Sequence, residues 1–226
     1  MKLTKKALSR CLSAAVFLGV GLAASSRTLA GEEVLAPEVS ASAAVASTYL
    51  WRGYDVGSGT PAVSGDLVVS HGGAYAGIWG SSGDTSAGSE YNIFAGYAFE
   101  VGGLTVDLSV WNWIYPTTST IGGENARFGD ISEVVLGLGY GRFRFAYYDN
   151  VAGDSGYGYY TLGADLGPFS LLVGQHNVPG GDDPVHVDLS YAYNNNLSFT
   201  LSQFVSDEPA DDNLKFVVAY SFPINL

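Results

Sequence analysis

Residues 184–193 read Pro184-Val185-His186-Val187-Asp188-Leu189-Ser190-Tyr191-Ala192-Tyr193. Val185, Val187, Leu189, Tyr191 and Tyr193 fall on one face, and His186, Asp188, Ser190 and Ala192 on the other. A period of two is the mark of a strand. In a soluble sheet the apolar face would cover a shared core. Here nearly every segment after residue 30 repeats the alternation, and no helical pattern supplies a second layer. Lipid is the expected partner for such faces, as in an outer-membrane β-barrel.

The same reading gives twelve strands, over 38–51, 60–71, 74–80, 89–100, 103–115, 130–140, 142–150, 157–166, 168–177, 184–194, 196–205 and 213–222. Gly72-Gly73, Gly102-Gly103, Gly141, Gly167 and Asn194-Asn195-Asn196 supply compact turn chemistry at every second connection. The intervening connections are longer, which is the asymmetry of a barrel with short periplasmic turns and long outer loops. An even strand count puts both ends of the barrel on the turn side. The expectation is therefore all-β: a single transmembrane antiparallel up-and-down barrel.

Residues 1–30 carry Lys2, Lys5, Lys6 and Arg10, then an apolar stretch from Leu12 to Ala24, then small residues ending at Ala30. That is the pattern of a secretory signal peptide, too short and glycine-broken for a membrane anchor. Residues 31–226 then form the barrel. Removing the leader takes five basic residues and no acidic one, so the formal charge moves from −12 to −17. Nucleic acid is excluded as a partner on that charge. Cys11 and Met1 leave with the leader, and no thiol chemistry remains. Mean hydropathy is +0.16, yet no later apolar run reaches helix-spanning length, which favours strands in the membrane.

Alternation assigns Val63, Leu67, Ile93, Leu108, Leu162, Leu201 and Phe216, among others, to lipid. Trp51, Tyr91 and Tyr147 are expected at the loop-side interface, with Tyr97, Tyr140, Phe169 and Tyr193 at the turn side, where amphipathic rings are favoured. The chain closes on Tyr220, Phe222, Ile224 and Leu226, with Pro223 expected to interrupt the last ladder.

Opposite the lipid face, the expected lumen-lining residues are Arg52, Asp66, Glu100, Asp107, Glu133, Arg142, Arg144, Asp165, His176, His186, Asp188 and Lys215. In a wide pore they would set ion preference; in a narrow barrel they would pair into a polar plug. The outer loops are expected to hold Asp55, Asp84, Glu90, Glu124, Asp130, Asp149, Asp154, Asp182, Asp183, Asp207, Glu208, Asp211 and Asp212 against Arg127. Such a vestibule enriches cations. The plainer reading is a solvated acidic surface beside lipopolysaccharide.

Catalysis is not expected. His186, Asp188 and Ser190 share a face, but strand residues two apart are separated by roughly 7 Å, so His186 and Asp188 need not bond. A metal at His176 and His186 lacks a third ligand beyond Asp188. No glycine pair opens a phosphate-binding helix, so no cofactor is expected.

Tyr49-Leu50-Trp51-Arg52-Gly53, Tyr75-Ala76-Gly77-Ile78-Trp79-Gly80, Tyr91-Asn92-Ile93-Phe94-Ala95-Gly96-Tyr97 and Glu133-Val134-Val135-Leu136-Gly137 together resemble the TorF-type porin family of proteobacteria. The resemblance implies a Gram-negative outer-membrane barrel with a porin function and no named substrate. Its partners would be outer-membrane lipid, lipopolysaccharide and small hydrophilic solutes or ions. The leading expectation is passive diffusion with a weak cation preference. The alternatives are a non-conducting structural barrel whose acidic loops bind a partner, and a soluble barrel that buries Leu189 and Phe216 around an apolar ligand.

Overall fold

Alternation along each strand sets which residues face in and which face out, and the ladder then closes the sheet on itself. The computed structural model describes residues 36–85, 88–117, 125–154, 156–206, 213–224 and 226. The strands are β1 Glu38–Ala46, β2 Leu50–Trp51, β3 Tyr54–Asp55, β4 Ala62–His71, β5 Ala74–Asp84, β6 Gly88–Val101, β7 Leu104–Tyr115, β8 Ala126–Tyr140, β9 Phe143–Ala152, β10 Gly158–Leu166, β11 Phe169–Asn177, β12 Val185–Ala192, β13 Leu197–Phe204 and β14 Lys215–Ile224. Twelve of them form one closed antiparallel barrel in sequence order, with β1 paired to β4 on one side and β14 on the other. β2 and β3 stand apart as a two-stranded hairpin. Among the described residues there is no helix.

Two-residue turns are written into the glycines. Gly72 and Gly73 both take positive φ, at 58° and 91°, between paired His71 and Ala74. That is the mirror-image turn whose twist matches the flanking strands. Most expected and observed strands agree within a few residues, with differences at the first strand, the last ladder and the β5–β6 ends. The first strand ends at Ala46 rather than Trp51, because residues 47–61 turn away from the sheet. The last ladder runs through Pro223, opposite Ser42, to Ile224 opposite Ala41, where an interruption was expected. The leader, with its expected cleavage, lies outside the described residues.

The outer surface is the apolar one. Ile78, Leu108, Leu162, Leu189 and Phe216 are 54%, 51%, 58%, 44% and 57% exposed. Leu189 and Phe216 thus face outward, against the soluble alternative. A soluble fold would not leave such a belt in water, whereas a bilayer covers it. Tyr97, Tyr140, Phe169 and Tyr193 ring the turn side, all exposed.

The interior divides in two. The turn-side half is lined by small and polar groups: Ser42 donates to Asp66 at 2.7 Å, and Arg144, itself about half exposed like its partner, meets Asp165 at 2.8 Å. Tyr75 donates to both carboxylate oxygens of Asp107, at 3.0 and 2.8 Å. Above them Phe94 stacks on Trp111 with centroids 4.1 Å apart, packed with Val135, Val68, Trp79 and Tyr148. Residues 47–61 meet this cluster through Tyr49 against Trp79 and Arg52 over Tyr148.

Candidate functional site

The segment after β1 folds into the loop-side mouth of the barrel. Its tip is Trp51-Arg52-Gly53-Tyr54, with Trp51 paired to Tyr54 and positive φ at both central residues, 47° and 88°. This is the two-residue hairpin geometry that favours Asn-Gly or Gly-Gly. Arginine at φ 47° costs about 1 kcal/mol or more, so tertiary contacts must hold it there.

Those contacts converge on the guanidinium. Arg52 Nη1 and Nη2 donate to Glu133 Oε1 and Oε2 at 2.9 and 2.7 Å, a bidentate fork with both side chains almost fully buried. Five rings surround the charge: Tyr159 at 4.7 Å from centroid to Cζ, Tyr148 at 4.8, Trp51 at 4.9, Tyr157 at 5.6 and Trp113 at 5.8. Desolvated cation–π contacts contribute up to about 2 kcal/mol each. Burial by itself would lower the affinity of the guanidinium for its proton; the Glu133 carboxylate more than offsets it, and Arg52 stays charged.

A ring of hydrogen bonds closes on the same residue. Arg52 Nη1 donates to the Tyr157 hydroxyl at 3.2 Å. His176 Nε2 lies 2.8 Å from the Arg52 carbonyl, which can only accept, so Nε2 carries the proton. Nδ1 then accepts from the Tyr157 hydroxyl at 2.8 Å. Side chain, phenol, imidazole and main-chain carbonyl form one cycle, and no member of it reaches solvent freely.

Beside it, His186 Nδ1 donates to Asp188 Oδ1 at 2.9 Å, and its Nε2 accepts from Tyr159 at 2.7 Å. Strand neighbours that need not have met do meet, because both side chains lean along the strand. The Asp188, His186, Tyr159 chain has the form of a relay, but it ends on a buried phenol. Ser190 is engaged elsewhere, 2.8 Å from Thr200. Chemically the chain fixes the His186 ring against the hairpin, where Phe204 packs edge-on to it and Tyr54 lies 4.7 Å from Phe204.

A further buried carboxylate anchors the base of the loop. Glu90 is 1% exposed and accepts from Tyr49 at 3.1 Å and from Asn92 at 2.9 Å. It was expected in an exposed outer loop, as was Asp84, which is also buried. β5 and β6 extend to Asp84 and Gly88, beyond their expected ends, which carries both residues inside the mouth.

The expected lumen residues therefore sort into groups. Arg52, Glu133, His176, His186 and Asp188 come together around the hairpin, though Arg52 enters on an inserted loop and not on a wall strand. Lys215 is buried near the seam, its Nζ 5.0 Å from the Phe204 ring centroid. Asp66, Asp107, Arg144 and Asp165 line the turn-side half, with Glu100 at its exposed rim. Arg142 sits in the turn after Gly141, not on a strand, and is exposed. Asp182 and Asp183 are exposed, and Asp183 accepts from Val178 N at 2.9 Å. Glu124, Asp207, Glu208, Asp211 and Asp212 lie outside the described residues. Trp51, expected at the membrane interface, stands inside the mouth instead. Trp113, Tyr148, Tyr157 and Tyr159 were not singled out; parity alone places Trp113, Tyr148 and Tyr159 on inner faces and could have flagged them.

A closed antiparallel barrel with an apolar belt outside defines the class: a transmembrane β-barrel, here with the segment after its first strand seated in the loop-side mouth. Residues 32–203 match the bacterial proteins of unknown function designated Gcw_chp, and the chain belongs to that family. The family description names no porin, so of the resemblance to TorF-type porins it carries only the bacterial family. No curated protein sequence matches the chain. Solved structures that resemble it include outer membrane phospholipase A from Escherichia coli, at 13% identity over 83% of this chain and 89% of that one, with a TM-score of 0.43. Pseudomonas aeruginosa OccK10 (OpdN) aligns at 12% identity over 84% of this chain and 70% of that one, with a TM-score of 0.38.

Proposed function

We propose that the protein is a Gram-negative outer-membrane barrel whose lumen is shut at rest by its own first loop, and that small hydrophilic solutes or ions pass only when that loop withdraws. The observation that carries this reading is the hairpin at residues 50–55, locked to Glu133 through Arg52 while sharing no ladder with any barrel strand. Among the described residues, 50–55 make no backbone–backbone hydrogen bond to a barrel strand, so the hairpin can leave without tearing the sheet. Breaking into the barrel wall would cost far more, since every backbone group there is paired within the membrane. Residues 1–30 deliver the chain for export, and lipid and lipopolysaccharide contact the apolar belt and the loops.

Single-channel recording in planar bilayers tests the reading. The wild type is expected to be silent or to open rarely, and a variant with residues 49–58 replaced by an equal number of glycines and serines to conduct steadily. Steady wild-type conductance equal to that of the variant would refute a resting plug. Silence of both would favour the non-conducting structural barrel. Cell fractionation is expected to place the protein with the outer membrane, with anomalous gel migration before heating; recovery as a soluble monomer would remove the barrel from the membrane.

A further inference from the structure

We infer that the cage around Arg52 is a binding site for a small guanidino compound, and that Arg52 fills it as an internal stand-in while the plug is seated. This rests on the reading of the loop as a removable plug. An apolar hairpin tip is enough to seal the mouth, and Trp51 and Tyr54 supply one. A charge buried at that tip is costly, and an apolar side chain in its place would also close the mouth. What the charge meets is recognition chemistry: a bidentate carboxylate matched to a planar fork and several aromatic faces around it.

Four of the five rings and the carboxylate belong to the wall. Trp113 lies on β7, Glu133 on β8, Tyr148 on β9, Tyr159 on β10, and Tyr157 immediately precedes β10. These positions lie on barrel strands or next to one and not on the hairpin, so besides Arg52 itself its withdrawal takes only Trp51 out of the cage. A free guanidinium and Arg52 then compete for one place. Such a ligand binds only the unplugged form and shifts the population toward it by its whole affinity for that form. A primary ammonium lacks the planar fork and fits Glu133 less well.

Arg52→Ala, purified as the full-length barrel and checked for folding by heat-dependent gel migration, is titrated with agmatine while tryptophan fluorescence and heat are recorded. Saturable binding is expected, at least about tenfold tighter than to wild type, and weakened about tenfold or more by adding Glu133→Gln. Putrescine is expected to bind more weakly than agmatine. A second measurement uses the unaltered protein: agmatine accelerates chymotryptic cleavage after Trp51 and Tyr54, and sodium chloride of equal ionic strength does not. A folded Arg52→Ala that binds no agmatine, binding indifferent to Glu133→Gln, or equal acceleration by salt overturns the proposal. Plug failure is read separately, from the conductance of the glycine-serine loop variant.

Discussion

Replacing Gly53 with alanine probes how tightly the hairpin is fitted, and the loop contains its own control. At φ +88°, a Cβ on Gly53 would lie 2.7 Å from His186 Cγ, 2.9 Å from His186 Cβ and 2.9 Å from Phe204 Cζ. His186 has nowhere to go. Its two nitrogens are bound to Asp188 and Tyr159, and on its far side Gly174 is so close that a Cβ there would meet Nε2 at 2.2 Å. Gly59, at φ +72°, has nothing within 4 Å of its own added Cβ. Both substitutions carry the backbone cost of a left-handed alanine, about 1–2 kcal/mol. Only Gly53→Ala adds steric overlap in a packed site, roughly 1–3 kcal/mol more. That difference raises the unplugged fraction roughly 5- to 150-fold over Gly59→Ala. The assay is chymotrypsin added outside vesicles, with cleavage after Trp51 and Tyr54 followed by fragment mass. Rapid reclosing makes the rate proportional to the open population. If Gly53→Ala is cut no faster than Gly59→Ala, the hairpin is not wedged against His186 and the described fit is wrong.

Glu133→Gln leaves Arg52 buried without a counter-charge, a loss of about 3–5 kcal/mol if the plug stays seated; expulsion of the hairpin, seen as fast chymotryptic cleavage, is the expected escape. Tyr159→Phe keeps the ring beneath Arg52 but orphans His186 Nε2, so unfolding in urea should show about 1–3 kcal/mol lost with the hairpin still protected, and loss of that protection would mean the relay holds the plug. Leu189→Arg, at mid-strand on the lipid face, is expected to cost roughly 2–4 kcal/mol on refolding into vesicles; a tolerated arginine there would reverse the assigned faces. In the glycine-serine loop variant, cation preference measured by reversal potential should be larger at about 0.01 M salt, where the Debye length is about 30 Å, than at about 1 M, where it is about 3 Å, and an anion-selective pore would dismiss the acidic vestibule.

The parts of this protein legible in the sequence are those governed by neighbours along the chain. Period-two alternation assigns Leu189 and Phe216 outward and His186 and Asp188 inward, because successive strand residues point to opposite faces whatever the rest of the fold does. Paired glycines such as Gly72-Gly73 place the tight turns for the same local reason. The destination of residues 47–61 was not legible. Tyr49, Leu50 and Trp51 continue an aromatic and apolar run that suits a strand end, and the stretch from Gly53 reads as an outer loop, with nothing to mark a hairpin at Arg52-Gly53.

Local signals do not say whether such a stretch points to water or into the lumen. Its seat depends on partners 81, 105 and 124 residues away, at Glu133, Tyr157 and His176. Those groups become neighbours only once the barrel closes. The sequence by itself thus determined a twelve-strand transmembrane barrel and the facing of its walls. Only the tertiary structure decided that the first loop is seated in the mouth of the barrel, because a buried charge is stabilised by groups that converge in space and not by any that precede or follow it in the chain.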